Sequence, residues 1–288
     1  MTKQPVYLHN SSHKDFIREK WIEFAQEMLT AGGNLSLITF PAEEMQDLHL
    51  FATKGLIEWE QTETGGYKIK KGKVTCFEKS DKIWMKLSKK LINATVEKEE
   101  IGSYFQSKYK AIMSKQTKIF PADVINLDYD GNISKNKVSI EDTIGLIFKY
   151  QALHEKNFSL FLTWPQTENE DEQSYKDMLK QTIEDNLDDP NAVQFKEKFE
   201  TFFDSLNDLN YEQLSIIGLA KVIIKKASEH KFEIFKNEFY LYGEQNRRKM
   251  FSILLNFEFS KNARPHKIYS KDVVKSLTTL TDLNEKSN

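Results

Sequence analysis

Apolar positions recur first at helical spacing and then in short runs. Over HKDFIREKWIEFAQEML, residues 13–29, Phe16, Trp21, Phe24, Ala25 and Met28 share one helical face, and AGG ends the helix. LSLITF (35–40) has the length of a buried strand, and PAEEMQDLHLFATKG (41–55) reads as a helix with proline in its first turn and glycine at its stop. LIEWE and YKIKK flank QTETGG, which predicts a hairpin over 56–71 turning at Gly65 and Gly66. GKVTCFEKS (72–80) follows as a strand ending in Glu78, and DKIWMKLSKKLI (81–92) as a helix. Strand and helix have then alternated twice.

The alternation continues. Residues 97–114 read as helical, PADVINLDYDGN (121–132) as an apolar strand breaking into acids and glycine, and SIEDTIGLIFKYQALHEK (139–156) as a helix capped by Ser139 with Asp142 three residues on. NFSLFLTWPQT (157–167) is a further buried strand, and 170–230 carries helices interrupted at LDDPN, the most apolar being LSIIGLAKVIIKKASEH. KFEIFKNEFYLYGE (231–244) and RRKMFSILLNFEFSK (247–261) are long strands whose short connection forces them antiparallel. The expected organisation is an N-terminal helical segment (1–34), an α/β domain (35–261) with a hairpin insertion near 56–71 and a helical insertion near 168–230, and a polar tail that frays (262–288).

Composition narrows the class. Of 288 residues, 39% are hydrophobic and 29% charged, which is globular, and no window reaches the roughly 20 consecutive apolar residues of a membrane span. MTKQPVYLHNSSHKDF has no apolar stretch, so neither a secretory signal nor an anchor is expected; a single cysteine, Cys76 in an apolar strand, excludes an internal disulfide and fits a reducing, cytoplasmic setting. No metal site is expected: among six histidines only His9 and His13 share a ligand spacing, and they precede the first helix. Lys and Arg number 41 against 43 Asp and Glu, a net −2 that neither announces nor forbids a nucleic-acid partner. Three of the four arginines lie near the C-terminal end, whereas TENEDEQ and IEDNLDDP concentrate acid before them; each run is either a solvated face or, for the basic end, a set of phosphate contacts.

This order of elements resembles the Rossmann-like class I methyltransferases, which use S-adenosylmethionine and whose last strand inserts antiparallel into an otherwise parallel sheet with helices on both faces. The resemblance covers about residues 13–260. Within that class VINLDYDGN is similar to the tRNA guanine dimethyltransferase pattern of an apolar strand, Asp-Leu-Asp and then Gly-Ser. It implies that Asp128 ends a strand, that Tyr129 and Asp130 stand with it at the reaction edge, and that Glu78 accepts the cofactor's ribose hydroxyls; a plain strand-end acid is the alternative for Glu78. Thr39, Phe40, Pro41 and Ala42 take the place of the family's glycine-rich turn, a departure that removes the freedom at positive φ and admits a non-catalytic subunit binding a protein or nucleic acid. Thr163 and Trp164 end the next strand at the same edge, where Trp164 either walls a base pocket or packs in the core. Arg247, Arg248, Lys249, Arg264 and Lys267 are the substrate-side phosphate contacts this reading offers for tRNA, other RNA or DNA.

VINLDYDGNI also resembles the haloacid-dehalogenase phosphatase motif, which implies Asp128 as nucleophile, Asp130 as acid/base, Thr163 as a phosphate contact and a magnesium ion. Asn132 departs from that motif, and no later strand ends in an acidic pair. KIKKGK (68–73) either grips a phosphate backbone or forms the wet face of the hairpin.

Overall fold

A computed structural model describes residues 12–29, 35–131, 133, 136–165, 173–188, 193–200, 203–243, 249–262 and 281–282. The helices are α1 (Ser12–Gln26), α2 (Gln46–Thr53), α3 (Asp81–Lys90), α4 (Ile101–Ser107), α5 (Tyr109–Met113), α6 (Ile140–Ala152), α7 (Gln173–Leu187), α8 (Val193–Glu200) and α9 (Tyr211–Glu229). The strands are β1 (Ser36–Thr39), β2 (Glu58–Gln61), β3 (Tyr67–Lys71), β4 (Lys73–Phe77), β5 (Leu91–Ile92), β6 (Thr95–Glu97), β7 (Val124–Asp128), β8 (Phe158–Pro165), β9 (Phe232–Tyr242), β10 (Met250–Phe259) and β11 (Thr281–Asp282).

The main sheet runs β11-β9-β10-β8-β7-β1-β4-β6. Strands β6, β4, β1, β7 and β8 are mutually parallel, while β10 is antiparallel to both β8 and β9. Strand β9 therefore runs with β8, and α9 is the crossover between them, as a parallel connection requires. The expected last antiparallel strand is inserted, not appended. A second, three-stranded sheet, β2-β3-β5, holds the predicted hairpin. Gly72 joins it to β4 at φ +85°, where an added Cβ would meet the Leu35 carbonyl oxygen at 2.8 Å, so only glycine fits that joint.

Register sorts the side chains onto two faces. Leu37, Val74, Cys76, Val124 and Phe161 pack on α1 and α2 with Trp21, Phe24, Leu48 and Phe51. Ile38, Ile125, Leu127, Leu160, Leu162 and Trp164 pack on the opposite face with α4, α6, α7 and α9. Each such aliphatic or aromatic side chain contributes roughly 1.5–3 kcal/mol by leaving water. Ser139 caps α6 as expected, its hydroxyl accepting from the Asp142 amide at 3.0 Å. No helix among the described residues is long and apolar enough to cross a membrane.

Four expectations are corrected. Phe16 is 40% exposed on top of Tyr240, and Ile17 takes the buried position instead. Helix α2 begins at Gln46, so Pro41 belongs to the bend before it. Residues 91–92 and 95–97 are strands, the latter the sheet's edge. From the tail, Thr281 and Asp282 pair with β9.

Candidate functional site

Strand β1 has β4 on one side and β7 on the other, so the connections leave it in opposite directions. In an open α/β sheet the crevice lies at such a reversal, beyond the carboxyl ends of the strands. The side chains there come from the bend after β1, from Glu78 after β4 and from Asp128–Gly131 after β7.

Thr39, the last residue of β1, is the pairing partner of Asn126 on β7. Both are fully buried, and Thr39 Oγ1 and both amide atoms of Asn126 have no hydrogen-bond partner among the described residues. Without a glycine, the chain turns gradually over Phe40–Glu44 and makes its left-handed step at Met45 (φ 53°) before entering α2. The Phe40 ring meets Tyr129 edge-on at 5.1 Å, and the Tyr129 hydroxyl is buried with no hydrogen-bond partner among the described residues. Pro41 is buried and Ala42 half-buried. Glu43 leaves the bend to pair with Lys86 of α3.

Glu78 is half-buried, and one of its oxygens accepts the Ser80 amide at 2.6 Å. Burial raises its pKa above the ordinary carboxylate value, and the charge of Asp130 adds to the rise. A carboxylate offers about four lone-pair directions, so the contacts with the Ser80 and Lys79 amides leave capacity for two hydroxyl donors.

Asp128 is engaged by a residue that sequence reasoning did not single out. Lys14 Nζ, from α1, donates to both oxygens, at 2.7 and 2.6 Å, with the two side chains only 14% and 17% exposed. The ammonium also lies 4.9 Å from the centre of the Trp21 ring. Burial works against its charge, but Asp128, Tyr242 and Asp47 outweigh that and hold the Lys14 pKa above the ordinary lysine value. One turn on, Arg18 Nε donates to Asp47 Oδ1 at 2.8 Å and Nη1 to Asp15 at 3.0 Å. Burial and the charge of Asp128 raise the Asp47 pKa, and burial pushes the Tyr242 hydroxyl up to about 12. The signal was present in the sequence: positions 14, 18, 21 and 25 share one helical face, so Trp21 and Ala25 carry Lys14 and Arg18 inward with them.

Thr39, Phe40, Pro41, Ala42, Glu78, Asp128, Tyr129 and Asp130 therefore gather at one sheet edge. Thr163 and Trp164 go elsewhere. The Thr163 hydroxyl is fully buried and bonded to Ser252 at 2.9 Å, and Trp164 is a core side chain packed on Phe251, so burial keeps both from a solvent-borne substrate. Lys249 pairs with Glu212 at 3.0 Å at the start of α9. Arg247, Arg248, Arg264 and Lys267 lie outside the described residues. The phosphatase reading loses its parts here: Lys14 occupies Asp128, Thr163 is closed in, and no three His, Cys, Asp or Glu among the described residues stand together as metal ligands.

Read from β6 across to β9, the strands follow the class I methyltransferase arrangement, with a reversed final strand between two parallel ones. The fold is that of the class I methyltransferases. No family model matches the sequence, and no curated protein matches it either. Among solved structures, TYW2 of M. jannaschii in complex with AdoMet is 10% identical, with 88% of this chain and 80% of that one covered at a TM-score of 0.38. A SAM-dependent methyltransferase from Methanosarcina mazei is 10% identical over 82% and 97% of the two chains, at 0.38. The O-methyltransferase of a Brevibacillus brevis multienzyme, in complex with S-adenosyl-L-homocysteine, is 8% identical over 99% and 89%, at 0.35. Likenesses this distant add nothing to what the strand order shows by itself.

Proposed function

We propose that the chain binds S-adenosylmethionine in the β1/β7 crevice and acts as a methyltransferase-like protein on nucleic acid. The observation that carries this reading is the placing of Glu78 after β4 and of Asp128–Asp130 at the end of β7, on either side of the switch point at β1, in a sheet with this strand order. The residues suit the nucleoside end of the molecule, since Glu78 has acceptor capacity for vicinal ribose hydroxyls. When bound, S-adenosylmethionine supplies a methyl group activated by its sulfonium. Tyr129 and Asp130 would line the acceptor side, while Lys14, donating to both oxygens of Asp128, holds that side chain in place.

A second reading has its own support. Lys14 on both oxygens of Asp128 and Phe40 against Tyr129 fill the strand ends with the chain's own side chains, which suits a non-catalytic subunit that keeps the fold and binds a protein or nucleic acid.

Calorimetric titration and thermal unfolding with S-adenosylmethionine and S-adenosylhomocysteine separate the two. Binding is expected, with about 2.7 kcal/mol of added stability at 100 times the dissociation constant, and it should be lost in Glu78→Ala. A wild-type protein indifferent to both ligands would sink the cofactor reading and leave the binding subunit.

A further inference from the structure

The outer flank of the crevice carries a row of lysines that its acids do not balance. On α3, Lys82, Lys86 and Lys90 recur every four residues and form one stripe, about 12 Å from first to last. Like charges at this spacing repel, so the stripe opposes the helix that carries it. Its upper end borders the bend after β1. Glu43 there bonds Lys86, and that bond together with the charges of Lys82 and Lys90 holds the Glu43 pKa below its ordinary value. One carboxylate thus faces three ammonium groups. The neighbouring acids are engaged elsewhere, Asp81 by Lys98 at 2.7 Å and Glu60 by Lys70.

At its lower end the stripe reaches three aromatic rings. His49 of α2 meets Trp59 at 4.7 Å and Tyr67 at 5.0 Å, both edge-on, and Trp59 stacks on Tyr67 at 4.4 Å and 25°. All three are half-buried, so ring surface remains open to solvent. Tyr67 pairs with Leu91, the residue after Lys90, and a Cβ on Gly66 would meet the Lys90 carbonyl oxygen at 2.9 Å, so the end of α3 lies beside the rings; partial burial and then the charge of Lys90 lower the His49 pKa. The pairing of β3 with β5 and the Asn93 side-chain bond to the Ile69 carbonyl fix the end of α3 against the hairpin. The hairpin, which the Rossmann-like frame does not need, thereby sets an aromatic platform at the foot of a cationic row that climbs to the crevice mouth.

We infer that this flank is a track for single-stranded nucleic acid, its phosphates on Lys82, Lys86 and Lys90 and a base over the Trp59, Tyr67 and His49 cluster. Cations in a row match a polyphosphate backbone, and open ring surface matches an unstacked base, which a duplex does not present and an acidic peptide does not possess. The inference deepens the proposed action on nucleic acid but does not depend on the cofactor, because the track lies outside the crevice.

Fluorescence anisotropy of the full-length protein with labelled RNA and DNA of about twelve nucleotides, without cofactor and over a range of salt, tests it. The K82Q/K86Q/K90Q variant should lose at least about tenfold in affinity at low salt. The slope of log affinity against log salt should fall by about two, at roughly 0.7 per phosphate contact on a single strand. Trp59→Ala should lose about tenfold with its salt slope unchanged, since stacking releases no counterions; a thermal midpoint confirms that the hairpin is intact. Unaltered affinity and slope in the triple-lysine variant would overturn the track, as would tighter binding of a polyglutamate peptide than of either oligonucleotide by the wild type. Titrating the same variant with S-adenosylmethionine keeps the two readings apart, because failure of cofactor binding alongside lysine-dependent RNA binding removes the first and leaves the second.

Discussion

Two lysines show how burial decides what a charge does. Lys14 sits with Asp128 in a nearly dry pair, so removing either partner strands the other. Lys14→Met and Asp128→Asn should each cost roughly 3 kcal/mol in urea unfolding, and the double variant should cost clearly less than their sum. Strict additivity would mean that the pair is only incidental. Lys73 is the opposite case: burial, and then the charges of Lys118 and Lys156, depress its pKa. The folded protein therefore sheds this proton before the unfolded chain does, and stability should rise as pH climbs toward the ordinary lysine value of 10.5. Lys14 has the reverse sign, since its raised pKa keeps its contribution intact until pH passes 10.5. Comparing wild type with Lys73→Met by thermal unfolding between pH 8 and 10 isolates the first effect, and parallel curves would refute it. The sequence exposed the acids of the site, because Asp128 follows an apolar strand and Glu78 another. It concealed Lys14 and Arg18, since charged residues on a helix read as wet unless their shared face with Trp21 is followed upward.

Elements were legible in proportion to their apolar length. Strand β8, all eight residues of it buried, and the long β9–β10 pair announce themselves as runs, and α6 announces its start through Ser139. Strands β5 and β6 have two and three residues, too short for alternation to register, and they exist because β3 and β4 present edges to be paired. Proline and the acids after β1 suggested a helix from residue 41, but the turn needs those residues and α2 starts only when it is complete. The contact of α7 with α9 depends on a feature that composition does not reveal. Gly218 lies so close to Leu179 that an added Cβ would stand 2.7 Å from its Cδ2 and 2.8 Å from its Cβ. Gly218→Ala should therefore separate the two helices at a cost of roughly 1–3 kcal/mol despite alanine's better helix propensity. A gain in the unfolding midpoint would show that the helices slide apart freely.

At the scale of the molecule, the sheet divides two unlike interiors. The face under α4, α6, α7 and α9 is almost wholly hydrocarbon, whereas the face under α1 and α2 sets Thr39, Asn126, Asp128, Ser159, Thr163, Ser252 and Asn256 among its apolar side chains. The antiparallel pairing of β9 with β10 followed from their short connection, and the insertion of the last strand from the family resemblance, but this polarity could not, because it depends on which residues of adjacent strands share a register. The insertion of β10 between β8 and β9 also governs how the chain emerges from the ribosome. Strand β8 is made first, destined for burial along its whole length, and the strand that covers its open edge is complete only at Phe259. At about 5–20 residues per second, the nascent protein carries that sticky edge for roughly 5 to 20 s. Translation pace through α7, α8 and α9, and any chaperone waiting at the exit tunnel, thus bear on its yield more than on the stability of the finished fold.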